Sequence, residues 1–217
     1  MKLGIYCAGK LGRQAYDVAL RVNTVQNRWD KIFFIDDIRK ENVYYDTDVY
    51  RFADVKKASD IEVVIANGTP VHRQALAKKI KQAGMVLTNL IDPSAVFSNR
   101  TKIYGGGVLV LPFSVISSQA IVDENVLVQE HVNISHDVHI GANTVLSAKV
   151  TFGGCVQVGA NCFFGIASSM RENITIGANA VIGMGAVVLH DVVDGSVIVG
   201  NPARYLRKNE TGEVFHN

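Results

Sequence analysis

The chain has 217 residues, 48% hydrophobic and 19% charged, with 22 Lys and Arg against 20 Asp and Glu for a formal net charge of +2. This balance predicts a packed core and excludes both wholesale disorder and a nucleic-acid surface held by bulk charge. Cys7, Cys155 and Cys162 sit at no disulfide or metal-ligand spacing. The N-terminus does not read as a signal peptide and no apolar run is long enough to span a bilayer, so a cytoplasmic chain with reduced thiols and no membrane partner is expected.

Lys2–Tyr6 reads as a buried strand running into the loop Cys7-Ala8-Gly9-Lys10-Leu11-Gly12. Residues 11–22 place Ala15, Val18, Ala19 and Val22 on one helical stripe. Lys31–Ile35 is a second strand ending in Asp36-Asp37, and residues 61–66 a third ending at Asn67-Gly68. Residues 70–83 read as a helix, with Pro70 at its start and Gly84 just beyond it. Residues 86–91 form a last strand. Strands alternating with helices imply a parallel sheet, with the junction at Asp92-Pro93.

The period then changes. From Val110 through Ile116 and Val122 to Val188, a large apolar residue returns every sixth position through fourteen hexads without a failure. Smaller or β-branched residues follow four places later, as at Val126, Val132, Val150 and Ala186. A helix would smear this period around all its faces, and a hairpin sheet would alternate in twos. A three-sided coil explains it: each hexad is one short strand and one corner, with the large residue pointing inward. Gly141, Gly153, Gly159, Gly165, Gly177 and Gly183 directly follow the large residue, and are expected to relieve the backbone at the turns. Phe97 and Ile103 read as an earlier coil, with Gly105-Gly106-Gly107 adding one residue before the strict register begins.

The run ends in Val199-Gly200-Asn201-Pro202-Ala203-Arg204, after Ile182-Gly183-Met184-Gly185-Ala186-Val187-Val188. These residues resemble the hexapeptide-repeat acyltransferases. With the α/β segment in front, the chain resembles the family of sialic acid O-acetyltransferases and bacterial UDP-amino-sugar N-acetyltransferases. The resemblance implies a Rossmann-like α/β domain over residues 1–92, a left-handed parallel β-helix over 93–204 and a tail over 205–217. It also implies a homotrimer with acetyl-CoA lying between neighbouring prisms. The long faces of a prism suit stacking about a threefold axis.

Acyl transfer from a thioester requires a base for the attacking group, and histidine serves near neutral pH. His136 is followed by Asp137, and in the resembling family a histidine with an acid after it occupies this place. The implied roles are base for His136 and partner for Asp137, which stabilises the imidazolium. His136 lies two residues after the inward Ile134, at a corner, and Gly154 stands one coil further on, expected to leave room for a pantetheine arm. His131 is expected at a surface or interface, His139 pointing outward, His72 on a helix face and His216 in the tail. His190, three coils from His136 at ~4.8 Å each, is roughly 14 Å away. A zinc site on His131 and His136 would need a third ligand, and the stacked Phe113, Ser118, Lys149 and Gly154 supply none, so no metal is expected.

For the co-substrate, the resemblance assigns Ile166 and Met184 to CoA binding. It places Val145 where the family often has a histidine, leaving only packing on pantetheine. Arg204 and Arg207 are candidates for the CoA phosphates. The loop meets the pattern G-x-G-x-x-G only in part, since Cys7 stands for the first glycine, which weighs against NAD. A glycine loop at a helix start can hold phosphate on backbone N–H groups. The resembling enzymes place nucleoside and substrate contacts at an acid pair after the second strand and at the end of the third. The loop and the resemblance together make Gly9, Lys10, Leu11, Asp36, Asp37 and Gly68 the candidate contacts for a sugar or nucleotide-sugar acceptor. The expected reaction is acetyl transfer from acetyl-CoA to the amine of a nucleotide-linked sugar. O-acetylation of a sialic acid or another sugar hydroxyl, and a non-catalytic trimeric scaffold that binds a nucleotide sugar, stay open at this point.

Overall fold

In a computed structural model, residues 1–212 and 214 are described. The first unit contains β1 (Lys2–Tyr6), α1 (Lys10–Gln26), β2 (Lys31–Ile35), β3 (Val43–Tyr44), β4 (Thr47–Tyr50), α2 (Phe52–Val55), β5 (Ile61–Ile65), α3 (Pro70–Gln82) and β6 (Val86–Leu87). They form one sheet in the order β3-β4-β2-β1-β5-β6. Every pairing is parallel except the β3–β4 hairpin. Leu3, Ile5 and Phe34 face the α1 stripe of Ala15, Val18, Ala19 and Val22. Tyr6, Phe33, Ile35 and Val63 face α2 and α3. Strands buried on both faces explain why β1, β2 and β5 read as near-continuous apolar runs.

The sequence does not announce β3, β4 or α2, because two- to four-residue elements carry too little periodicity. The expected strand over 86–91 is really two. Val86–Leu87 closes the α/β sheet, while β7 (Leu90–Ile91) opens the repeat region. The division therefore falls at Thr88-Asn89, ahead of Asp92-Pro93.

The repeats stack into a three-sided solenoid. β7, β8 (Val96–Phe97) and β9 (Lys102–Ile103) form its first coil, and each begins one face, here called I, II and III. All neighbours on a face are parallel until the C-terminal strand of face I. Ile91 pairs with Val110, nineteen residues on, whereas Val110 pairs with Val128, eighteen residues on. The extra residue lies at Gly105-Gly106-Gly107, as the sequence predicts. This arrangement fits a left-handed parallel β-helix.

The inward hexad residues form one continuous core from Val108 to Ile198. The rings of Phe152 and Phe164 meet edge to face at 5.0 Å inside it. The expected role of the glycines needs correction. The left-handed corner positions are held by Gln119, Asn125, His131, Asp137, Asn143 and their successors at six-residue steps, with φ near 56–62°. The hexad glycines do a different job: a Cβ on Gly141 would lie 2.6 Å from the Gly159 carbonyl carbon, and one on Gly153 2.5 Å from the Glu172 nitrogen. Glycine permits close stacking of coils there, not an unusual φ.

Face I is covered by the α/β unit. Its outward residues Leu109, Leu127, Val145 and Phe163 are buried in one cluster with β1 and α1. The outward positions of the other faces, such as Asn133 and Thr151 on II or His139 and Gln157 on III, are partly or fully exposed. At the far end Arg204–Lys208 folds back antiparallel on Ser196–Val199. Beyond it Asn209 donates to the Asn179 carbonyl at 3.0 Å, and Val214 packs against the face I cluster. The segment expected as a tail thus begins as a strand, and its described residues fold back on the chain; His216 lies outside the described residues.

Candidate active site

His136 and Asp137 occupy the corner between faces II and III. Asn133–Ile134 precedes them on face II and His139–Ile140 follows on face III. Asp137 takes the left-handed corner conformation at φ 59°. That turn points its carboxylate back at its neighbour, and Oδ2 lies 2.8 Å from His136 Nδ1. The imidazole stays 64% exposed, so the pair is formed yet open to a substrate. A carboxylate on Nδ1 fixes the tautomer that leaves Nε2 free to accept a proton.

Gly154 is not the open space expected for pantetheine. A Cβ there would lie 2.5 Å from Cε1 and 2.7 Å from Nε2 of His136. The ring itself rests over the glycine. The Cys155 N–H donates to the His136 carbonyl at 3.0 Å, and a ring nitrogen, the Asp137 carboxylate and the Cys155 sulfur come within 4.8 Å of one another.

The other histidines separate from this corner. His131 stacks on Phe113 with centroids 5.3 Å apart, at the corner between faces I and II. His139 forms a second His–acid pair, Nε2 to Asp123 Oδ2 at 3.0 Å, which is not legible in the sequence because sixteen residues separate the partners. His190 is exposed, in the same corner row as His136. His72 lines the crevice of the α/β unit.

Ile166 and Met184 are 52% and 78% exposed. They lie one coil apart on the corner between faces I and II, where the Gly185 N–H donates to the Ile166 carbonyl at 2.8 Å. Face II therefore separates them from His136 within one chain. Val145 is 1% exposed beneath the α/β unit, so it packs between the two units and not on a pantetheine arm.

At the carboxyl ends of β1, β2 and β5, a cavity of about 330 Å³ is lined by Tyr6, Cys7, Asp36, Asp37, Asn67 and His72, with Ile38, Ala75 and Leu76 as apolar walls. Gly9, Lys10, Leu11 and Gly68 stand beside it without lining it. Cys7 adopts φ 82°, the region that glycine would enter freely. Gly12 is required because a Cβ would strike the Cys7 carbonyl. Gly9 at the start of α1 provides no side-chain cap.

The acid pair is already engaged. Asp36 accepts from the N–H groups of Ala8, Ile38 and Arg39 at 2.8–2.9 Å. Asp37 accepts from Tyr6 Oη, Lys79 Nζ and the Phe52 N–H at 2.6–2.9 Å. Burial alone would raise both carboxyls, but these donors outweigh it and hold both below the usual carboxylate value. They shape the crevice first, and only their remaining lone pairs can meet a ligand. Burial pushes the Cys7 thiol up to about 11, so it is no thiolate nucleophile near neutrality. A further residue, Arg39, donates twice to the Ala8 carbonyl and lies 3.8 Å over the Tyr44 ring, bracing the loop from outside.

No family model and no curated protein matches the sequence. Solved structures do. The acetyltransferase domain of PglB from Neisseria gonorrhoeae FA1090, in complex with acetyl coenzyme A, superposes with a TM-score of 0.87 at 24% identity, over 94% of this chain and 98% of that one. A perosamine N-acetyltransferase variant from Caulobacter crescentus, in complex with CoA and GDP-perosamine, gives 0.88 at 22% identity, over 96% and 98%. WeeI from Acinetobacter baumannii AYE gives 0.67 at 22%, over 95% and 100%. The chain shares the fold of these solved structures. The likeness takes in both units of the chain, the α/β sheet as well as the prism.

Proposed function

We propose that the protein transfers an acetyl group from acetyl-CoA to the amino group of a nucleotide-linked sugar. The observation that carries the reading is the His136–Asp137 pair, exposed at a prism corner with its ring seated on Gly154. Two structural neighbours support it: one holds acetyl coenzyme A, the other CoA with GDP-perosamine. In this reading His136 Nε2 accepts a proton from the acceptor amine while its nitrogen attacks the thioester carbonyl carbon. The C–N bond forms, the C–S bond breaks, and the sulfur leaves as the CoA thiolate, which takes the proton from the His136 imidazolium and restores the base. Asp137 stabilises the imidazolium in between. Ile166 and Met184 pack on the CoA. The α/β unit, taken as a Rossmann-like domain, holds the nucleotide, with the diphosphate near Gly9, Lys10 and Leu11 and the nucleoside near Asp36, Asp37 and Gly68.

The assembly proposed is a homotrimer. The α/β unit covers face I, while His136 stands at the opposite edge between faces II and III. A chain that brings its own crevice to its own imidazole would have to reach around the prism. A second copy, placing its I/II corner with Ile166 and Met184 against the II/III corner of the first, removes that difficulty. Among the described residues no helix is long and apolar enough to cross a membrane, and a cytoplasmic location is proposed from the free thiols.

The test is thiol release from acetyl-CoA with a panel of UDP- and GDP-linked amino sugars, the product read by mass spectrometry, alongside light scattering for mass. Acetylation of an amine that His136→Ala abolishes, in a particle of three chains, is the expected result. Turnover that survives His136→Ala, or acetylation of hydroxyls alone, would overturn it.

A further inference from the structure

Arg73 is fully buried. It lies on the inner stripe of α3 with Ala77 and Ile80, at the four- and three-residue steps that place helix residues on one face. A guanidinium has five N–H donors in a rigid plane, and here each meets a neutral oxygen. Nε donates to the Asn125 carbonyl at 2.8 Å. Nη1 donates to the carbonyls of Ile65 and Asn67 at 2.8 and 3.0 Å. Nη2 donates to Asn125 Oδ1 at 2.9 Å and to the Gly107 carbonyl at 3.4 Å. Asn125 answers, its Nδ2 donating to the Arg73 carbonyl at 3.0 Å and to Asn143 Oδ1 at 2.8 Å. Burial pushes the guanidinium down to about 9, and among the described residues no carboxylate is paired with it.

The five acceptors fall into two groups. Ile65 and Asn67 end β5, and Asn67 lines the acceptor crevice. Gly107 and Asn125 form the prism corner between faces III and I. The planar fork thus joins the crevice wall to the prism, four of its five acceptors being backbone oxygens, which cannot change rotamer. The ion pair Lys81–Glu124 spans the same seam, but it is exposed and pairs of that kind contribute little.

We propose that Arg73 is a positioning residue of the transfer reaction, fixing where the crevice holds the acceptor relative to the prism of its own chain, whose I/II corner carries the thioester toward the base of the neighbouring copy. This rests on the acetyl-transfer reading above. Acetyl-CoA binding, which that reading places along the prism, should not depend on it.

Arg73→Met keeps length and removes all five donors; Arg73→Lys keeps the charge and at most three. With Met, acceptor kcat/KM should fall by about 30-fold or more while the acetyl-CoA KM holds within about twofold, the pattern of lost positioning and not of general unfolding. Lys should fall between. Amide exchange over residues 65–69 should speed up in both variants, with residues 134–140 around His136 still protected. A folded Met variant whose acceptor kcat/KM stays within about threefold of the wild type, or whose two substrates weaken alike, overturns the proposal. Should Met fail to fold, the Lys variant decides on the same readings. If the wild type acetylates no amino sugar, the functional reading fails, and exchange then decides the clamp alone: unchanged protection at 65–69 in Arg73→Lys refutes it, and faster exchange confined there upholds it.

Discussion

Replacing Gly154 with alanine should move the imidazole of His136, the proposed base, while leaving the core untouched. The new Cβ would stand 2.5 Å from Cε1 and 2.7 Å from Nε2 of His136, where carbon atoms normally keep roughly 3.5–4.0 Å apart. The ring must therefore shift by about 1 Å. It can do so cheaply, being 64% exposed, and Gly154 is not among the residues with positive φ, so alanine meets no backbone strain. Stability should change by no more than about 1 kcal/mol. Catalysis should suffer far more, because the shifted ring loses its 2.8 Å contact to Asp137 and its line to the acceptor. A displacement of about 1 Å costs on the order of 100-fold, or about 2.7 kcal/mol of barrier. The assay is kcat from thiol release at saturating acetyl-CoA, with a melting curve beside it. A variant that melts with the wild type and keeps kcat within about threefold would refute the placement of the base.

The remaining predictions concern the base itself, the core and the seam. His136→Ala should lower kcat by about 10²–10⁴-fold and leave CoA binding, followed by calorimetry, unchanged. Phe164→Ala removes a fully buried ring that meets Phe152 at 5.0 Å and should cost about 3–5 kcal/mol in urea unfolding. Asp92 ties the seam, accepting from Arg21 Nε at 2.7 Å and from Ser94. Burial would raise its carboxyl, but the Ser94 and Arg21 donors outweigh this and hold it below the ordinary value. Its contribution is then complete above the unfolded value of about 3.9 and lost as pH falls through the lower folded value. Asp92→Asn should flatten the acid limb of stability below about pH 4; an equally steep limb would count against this account.

Much of the repeat region was legible because a prism wall has a period. Each inward residue from Val110 to Val188 is specified locally, by alternation within a two-residue strand. The extra residue at Gly105-Gly106-Gly107 was readable for the same reason. His136–Asp137 was visible because its partners are adjacent in the chain, whereas His139–Asp123 was not, its partners being one coil apart. The covered face also leaves a mark in the sequence. Leu109-Val110, Leu127-Val128, Val145-Leu146 and Phe163-Phe164 are apolar at both strand positions, once per coil, which marks one face as covered. Likewise Arg73 stands at helical spacing from Ala77 and Ile80, the position of a core residue, although its charge suggests solvent. The glycines misled because one residue type serves two ends: freedom at positive φ, and the absence of a Cβ where coils stack.

The six-residue period, the inward side chains and the acid next to its histidine belong to the sequence alone, since each is a relation among residues a few positions apart. What covers face I, which oxygens satisfy Arg73, and how far His136 stands from its own chain's crevice were decided only in three dimensions. Those outcomes depend on surfaces contributed by residues dozens of positions away. Burial and hydrogen bonding respond to whatever surface arrives, wherever in the chain it was written.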